Sequence, residues 1–576
     1  MKRFALLFLG SVLAISSIKA QPNTNQGQYY IDDYQFHQAR SFFLNRLKST
    51  PGDVRANCSL GDTYLYLQQP DSAKIAYQNA LAADPKSPFP LIGLGKIALW
   101  NGDKTAELDY FEKARKMDKK NPEVYCTIAK GCFDHVKKDT ATGNRFLTQG
   151  IELNSKYAPF HIVAGDYELI RHRYGPASNA YDRAIYFDAG YALAYRKLGV
   201  IHTLARANRD ALTALAKSIE LNTDQILVYK NLGDLYYMIG KYPEAEKNYR
   251  IYLSRAEVSA EDKERLAIIL FFNKNYDESV KLLEEVMQLS KNESVLLRVR
   301  GYIAYETQKY PEGVAYLDKF FKIHDPEKNI PSDYIYYGRL LQKVGRDTSA
   351  ISSFNKALAL DSTKTELYDE LSKLYIANKM HNHAIGIYLK MIANGADKLA
   401  TTFLIGKEYY FQAEVYHAQY DSLMNLQKIS KVPFADSVAV NALKRSFYQK
   451  ADSSFAVVTA LNDKYAGGFI WRGRMNSFLD PEAEGSLAKE SYEKALAIYE
   501  AGDVVKNRRS IIECCRFLAS YYYLNSEKIL KTDKEKSAAL KTSSVDYFRK
   551  ILLIDPTDAQ GIEVFKKLKI ALPKAQ

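Results

Sequence analysis

The sequence predicts an all-α solenoid of about a dozen stacked helix-turn-helix hairpins. Three observations carry that prediction. Leu-Gly pairs recur in one register, as at Leu198-Gly199 and again at Leu232-Gly233, and self-similarity at a period of roughly 34 residues marks repeat architectures. Each unit has apolar residues at helical spacing on both sides of a short break, and Gly102, Gly240 and Gly345 supply that break. Finally, Gly61, Gly95, Gly199, Gly233, Gly301 and Gly338 fall inside helical patterns, where Gly costs about 1 kcal/mol relative to Ala. That cost is reasonable only where a second helix packs close against the spot. Ala73, Ala211, Ala245, Ala350 and Ala384 supply the expected small surface, with Tyr, Leu and Phe filling the space around it.

The elements follow in chain order. Lys2 and Arg3 precede the apolar run "FALLFLGSVLAI", and "SSIKA" leads into the polar stretch "QPNTNQGQ". This reads as a signal peptide over 1–20, cut after Ala20, with an uncleaved anchor as the alternative. No later stretch reaches the length of a membrane span. Residues 21–53 hold a half repeat, "YQFHQARSFFLNRLKSTP", with Ala39, Phe43 and Pro51 in register. A regular array fills 54–398, its units starting near Val54, Pro88, Val124, Ala158, Ala192, Ile226, Ala260, Ser294, Pro331 and Thr365.

From Leu399 to the end, 399–576, the pattern degenerates. "LIGKEYYFQAEVYHAQYDSLMNLQKIS" keeps Ile405, Gly406 and Tyr409 but has no further Gly or Pro before "KVP" at Pro433. The second-helix pattern returns only at Ala451 and Phe455. We read this as one hairpin with both helices lengthened by roughly 16 residues, projecting about 25 Å at 1.5 Å per residue. One further ordinary repeat pair with a poor turn is the alternative. A second extension separates "CRFLASYYYL" from "DYFRKILLIDP".

A large residue, Leu-Gly, Tyr, then Ala, an aromatic, Ala and a closing Pro is the pattern of Leu60, Gly61, Tyr64, Ala73, Tyr77, Ala80 and Pro85. It resembles the tetratricopeptide repeat family, and the resemblance covers nearly all of the chain after the leader. It implies a right-handed superhelix whose first helices line a concave, partner-binding face. Carrying the family's inward positions onto this chain gives Arg196, Lys230, Tyr237, Phe271, Phe272, Arg298, Tyr302, Tyr305, Arg339 and Lys343. Such cations and aromatics suit a protein or peptide segment that is acidic and partly apolar. Charges that merely keep a wide groove hydrated are the alternative. The paired Lys and Asn that clamp a C-terminal carboxylate in some family members are not found.

Composition narrows the function classes. The chain has 576 residues, 47% hydrophobic and 26% charged, with 17 prolines, which is a folded rather than a disordered balance. Net charge is +13, and +10 once Lys2, Arg3 and Lys19 leave with the leader. A basic surplus suits nucleic acid, an anionic membrane surface touched peripherally, or acidic proteins; export disfavours nucleic acid. The five cysteines form no framework and read as small apolar core residues. "GLGKIA" at 93–98 lies inside a helix with no strand before it, so no dinucleotide cofactor is expected. "HNH" at 381–383 reads as a solvated turn with too few ligands for a metal. "ECCR" at 513–516 reads as helix interior rather than a reactive thiol. The sequence therefore points to a non-enzymatic binding scaffold exported to a Gram-negative periplasm, free or associated with the outer membrane, that organises a secretion or envelope-assembly complex. A periplasmic chaperone for export substrates is the second class, and an enzyme with its chemistry in the C-terminal third is the third.

Overall fold

The computed structural model describes residues 26–134, 137–287, 293–430 and 435–573. The signal-peptide expectation and the break at Pro433 lie outside them. Among the described residues there are 29 α-helices, one short 3-10 turn and no strand.

The chain forms two compact units, divided between Ile303 and Ala304. The first opens with α1 (Gln26–Asp32) and α2 (Phe36–Ser49). Seven hairpins follow: α3 (Val54–Tyr66) with α4 (Pro70–Ala83), α5 (Phe89–Asn101) with α6 (Lys104–Met117), α7 (Pro122–Asp134) with α8 (Thr140–Leu153), α9 (Ala158–Ile170) with α10 (Tyr174–Phe187), α11 (Ala192–Leu204) with α12 (Asn208–Leu221), α13 (Leu227–Met238) with α14 (Tyr242–Arg255), and α15 (Ala260–Phe272) with α16 (Tyr276–Val286). The division falls within α17 (Glu293–Glu306). The second unit continues through α18 (Tyr310–Ile323), α19 (Pro331–Lys343), α20 (Asp347–Leu360), α21 (Glu366–Ala377) and α22 (His381–Ala393). It ends with α23 (Lys398–Ser430), α24 (Ala435–Leu461), α25 (Ala466–Leu479), α26 (Leu487–Glu500), α27 (Val504–Ile529), α28 (Lys534–Ile554) and α29 (Ala559–Lys567).

What packs against the helical glycines differs from the sequence expectation. The close neighbour is most often an aromatic ring of the paired helix rather than Ala, and at Gly199 it is Leu215. A Cβ at Gly338 would lie 2.6 Å from the Phe354 ring and one at Gly473 2.8 Å from Tyr492, and Gly61, Gly95, Gly165 and Gly233 meet Tyr77, Phe111, Tyr181 and Tyr249 in the same way. Ala73, Ala211, Ala245 and Ala350 are fully buried beside these contacts. Tyr77, Phe111, Tyr181, Tyr249 and Phe354 are among the largest fully buried side chains, and Gly lets these rings approach the helix backbone closely.

The hairpin turns share one left-handed residue. It is Gly at Gly102, Gly240 and Gly345, but Gln68, His172, Arg206, Lys274, Gln308 and Lys379 adopt it too. Repeat packing thus holds the turn even where the side chain makes it unfavourable.

Two features mark the ends of the array. The segment expected to be a half repeat also holds a first-position helix, α1, paired with α2. Tyr34 takes the left-handed turn position one period before Gln68, and Gly27 packs against Phe43 as later glycines pack against their rings. In the second unit, α23 runs unbroken for 33 residues and α24 for 27. Gly406 of α23 meets Phe455 of α24, so the two belong to one hairpin. Regular helices have 13 or 14 residues, which makes α23 longer by about 30 Å. From Glu414 to Ser430 it buries no side chain, and Val415, Leu426 and Ile429 are exposed. The second extension is the pair α27 and α28, of 26 and 21 residues.

Candidate partner-binding groove

In the first unit three hairpins place an acid on the first helix and a phenol on the second, and the following hairpin adds a cation. Three Gly-Asp steps place a carboxylate one residue after the packed glycine. Tyr77, Tyr181 and Tyr249 each donate to Asp62, Asp166 and Asp234 at 2.6 Å. Burial first, and the carboxylate second, push these phenols well above the ordinary tyrosine range, so each keeps its proton and donates. The next first helix supplies a cation to the same acid: Lys96 to Asp62 at 2.8 Å, Lys197 to Asp166 at 2.6 Å and Arg265 to Asp234 at 3.5 Å. The ladder joins neighbouring repeats. Its signal, Gly-Asp with Tyr fifteen positions after the Asp, lies in the sequence, but periodicity alone does not mark it as a bond.

The expected groove residues have different surroundings. Lys230 donates to Asp262 of the next hairpin at 2.6 Å. Burial would raise Asp262, but Lys230 and the capping Ser259 hold it below the usual carboxylate range. Tyr237 and Phe272 form an aromatic patch with Tyr242: Tyr242 stacks on Phe272 at 4.6 Å, and Tyr237 sits 5.8 Å from Phe272 with Arg265 over its face. Phe271 and Tyr302, by contrast, are buried core residues whose rings lie 5.9 Å apart. Adjacent positions on a helix point about 100° apart, so of the Phe271-Phe272 pair only Phe272 faces outward. Arg298 is half-buried on α17. In the second unit Arg339 binds Glu370 at 2.6 Å, Tyr305 packs edge-on against Tyr336, and Lys343 lies over Tyr310.

Arg196 has a different partner. It is 7% exposed and donates to the Asp32 carbonyl at 2.9 Å, with Asp33 at 3.8 Å. Lys130, which sequence reasoning misses, faces the Asp32 carboxylate at 3.5 Å. Both acids sit at the α1–α2 turn. Asp33 also accepts the backbone N–H of Ile226 at the start of α13, a helix end with no side-chain cap of its own. Gln35 accepts from the Glu257 N–H, while the Gln38 backbone N–H donates to the Glu257 carboxylate at 2.6 Å and its side chain to the Arg255 carbonyl at 3.2 Å. The first hairpin is thereby stitched to the α12–α13 and α14–α15 connections, closing the first unit on itself. The concave face encloses a cavity of about 580 Å³, whose wall includes Asp32, Lys96, Lys130, Asp166, Arg196 and Lys197. Burial pushes Asp33 up to about 6, against the pull of Arg196 and the Ile226 N–H.

The motifs set aside in the sequence are packing features. Gly93 and Gly95 meet the Tyr77 and Phe111 rings. "HNH" is less solvated than expected, because it starts α22: His381 pairs with the buried Glu408 at 2.8 Å and His383 stacks on Tyr375. All five cysteines are free thiols. Burial pushes Cys58, Cys126, Cys132 and Cys515 up to about 12, and Cys514 in the same direction, which makes them poor nucleophiles. Among the described residues no group of three or more His, Cys, Asp or Glu side chains could hold a metal, and no helix is long and apolar enough to cross a membrane.

The family model for the tetratricopeptide repeat matches residues 58–122, the stretch containing the first Gly-Asp step and its lysine. The chain carries tetratricopeptide repeats. It is 23% identical to a TPR repeat-containing protein of Methanocaldococcus jannaschii over 415 residues, covering 68% of this chain and 67% of that one. It is 20% identical to the Homo sapiens protein O-mannosyl-transferase TMTC3 over 64% of this chain, and spans only 38% of that protein. Among solved structures, the C-terminal part of a TPR repeat-containing protein from Cytophaga hutchinsonii aligns with 52% of this tetratricopeptide-repeat chain and 98% of its own, at 25% identity and a TM-score of 0.34.

Proposed function

We propose that this protein is a non-enzymatic scaffold, exported to the periplasm or the outer-membrane surface, whose first-unit groove holds an acidic, partly aromatic segment of a partner protein in an envelope complex. One observation carries the reading. Lys96, Lys197, Lys230 and Arg265 pair with acids of neighbouring repeats, whereas Lys130 and Arg196 take their carboxylate and carbonyl oxygens from a turn far away in sequence, at the very start of the array. Cations so placed are suited to a chain segment that is not part of the repeat stack. Affinity purification of the tagged protein from envelope fractions tests the reading. A scaffold returns one partner in fixed stoichiometry, and a chaperone returns heterogeneous clients. Mass spectrometry of the same sample tests export, which places the N-terminus at or near Gln21.

A further inference from the structure

The oxygens that Lys130 and Arg196 hold belong to "QYYIDDYQ", Gln28 to Gln35. This is an acid pair flanked by tyrosines, the chemistry inferred for the partner. The closure it makes is specific but imperfect. Asp33 is 1% exposed, yet among the described residues its Oδ1 and the Arg196 Nε have no hydrogen-bond partner. A buried polar atom left unmade costs free energy that a better ligand recovers. Among the described residues, Ile31 is the one α1 side chain in the buried cluster with Ala39, Phe43, Ala56, Leu60 and Ala76, and the half-buried Tyr30 packs against it.

We infer that the first hairpin is a clasp that shuts the groove of the first unit, and that the partner opens it by presenting paired carboxylates beside an aromatic residue, which take over Lys130, Arg196 and the start of α13 from Asp32 and Asp33. The inference rests on the scaffold reading and names the chemistry of its partner. Charge complementarity selects this occupant. Lys96, Lys197, Lys230 and Arg265 are matched within the repeats, so an incoming acid gains most at Lys130 and Arg196. A groove closed part of the time binds its ligand more weakly, because only the open fraction is competent.

The test uses the full mature chain and a fluorescent synthetic peptide of residues 26–38 as the probe. Wild type is expected to bind it weakly. The D32K/D33K double variant, whose turn repels Lys130 and Arg196 and no longer accepts the Ile226 N–H, is expected to bind roughly tenfold tighter, because the groove is open more often. Adding Lys130→Glu and Arg196→Glu to that variant abolishes the gain. If D32K/D33K folds poorly by circular dichroism, D32N alone breaks only the pair with Lys130 and gives a smaller rise of the same sign. Equal probe affinity in wild type and the opened variants overturns the clasp. So does light scattering that shows dimers exchanging their first hairpins, since the turn would then act between copies. The scaffold reading fails separately, if neither wild type nor the opened variant retains a stoichiometric partner from envelope extracts while the probe still binds.

Discussion

The hairpins α13–α14 and α23–α24 solve the same packing problem at different lengths. In the first, Gly233 receives the ring of Tyr249; in the second, Gly406 receives the ring of Phe455, much further along the chain. The interval between glycine and ring has grown by close to one full repeat period, roughly 34 residues. An insertion of this size leaves the repeat phase almost unchanged downstream, so sequence periodicity alone cannot separate an extra hairpin from a longer one. Both hairpins also carry a phenol bond: Tyr249 reaches back 15 residues to Asp234, and Tyr448 reaches back 34 to Glu414. The contact at the base of a hairpin defines the repeat, and the helices above it can lengthen.

The strongest way to break this comparison is to overfill both bases. Gly233→Leu and Gly406→Leu each force a side chain into an aromatic ring and are expected to cost about 1–3 kcal/mol or more. Hydrogen exchange should rise around the mutated hairpin and its neighbours, since solenoids couple nearest units. For Gly406→Leu the loss must reach Phe455. Unchanged protection there would mean that α23 and α24 are not partners at the base.

Removing only the hydroxyl sharpens the comparison. Tyr249→Phe and Tyr448→Phe leave the ring and delete the bond to Asp234 or Glu414. Each should cost about 1 kcal/mol and lower the chemical-denaturation midpoint without changing its slope. A much larger loss at Tyr448 would show that His417, 2.7 Å from its hydroxyl, is part of the same bond network.

A third, smaller effect separates the clasp from the lengthened hairpin. Burial raises Asp33 to about 6 when the clasp is shut, against an ordinary 3.8. The shut state therefore binds the proton more tightly. Shutting strengthens as pH falls through about 6 and the gain is complete near 4, by a few-fold per pH unit. Arg196, Asp32, Tyr252 and the Ile226 N–H are the groups that face this carboxylate, and Asp33→Asn removes the dependence. A dye on Gln28→Cys reads the change. A clasp that loosens between pH 7.5 and 5 contradicts the assignment.

The smallest expected effect is at the far end of α23. Leu426→Ser and Ile429→Ser should change stability by no more than about 0.5 kcal/mol, because neither side chain is buried. Melting that moves well beyond this would place a packing partner on the distal half.

Fold class was legible from Gly, Ala and aromatic positions because repetition multiplies a weak local signal. The repeat starts were legible for the same reason. The turns were less so, because Arg206 and Lys274 take a backbone conformation that sequence assigns to Gly. Of the candidate site, Arg196 lines the cavity of the first unit, and Lys230, Tyr237 and Phe272 are at least partly exposed. The periodic pattern also points to Phe271 and Tyr302, and carries no sign that they fill the core. The closure was beyond its reach. Asp33 and Ile226 are 193 residues apart, and no periodicity relates an acid in one turn to a helix start so distant in the array.

That closure has a consequence for the order in which the chain comes to exist. Each repeat can pack on the one before it as soon as both have been synthesised. The α1–α2 turn must wait for Ile226 and Glu257 to be made. At roughly 5–20 residues per second the interval is about 10–45 s. Until then a Tyr-flanked acid pair is displayed without its receptor, and the closure forms only after α3 to α14 exist.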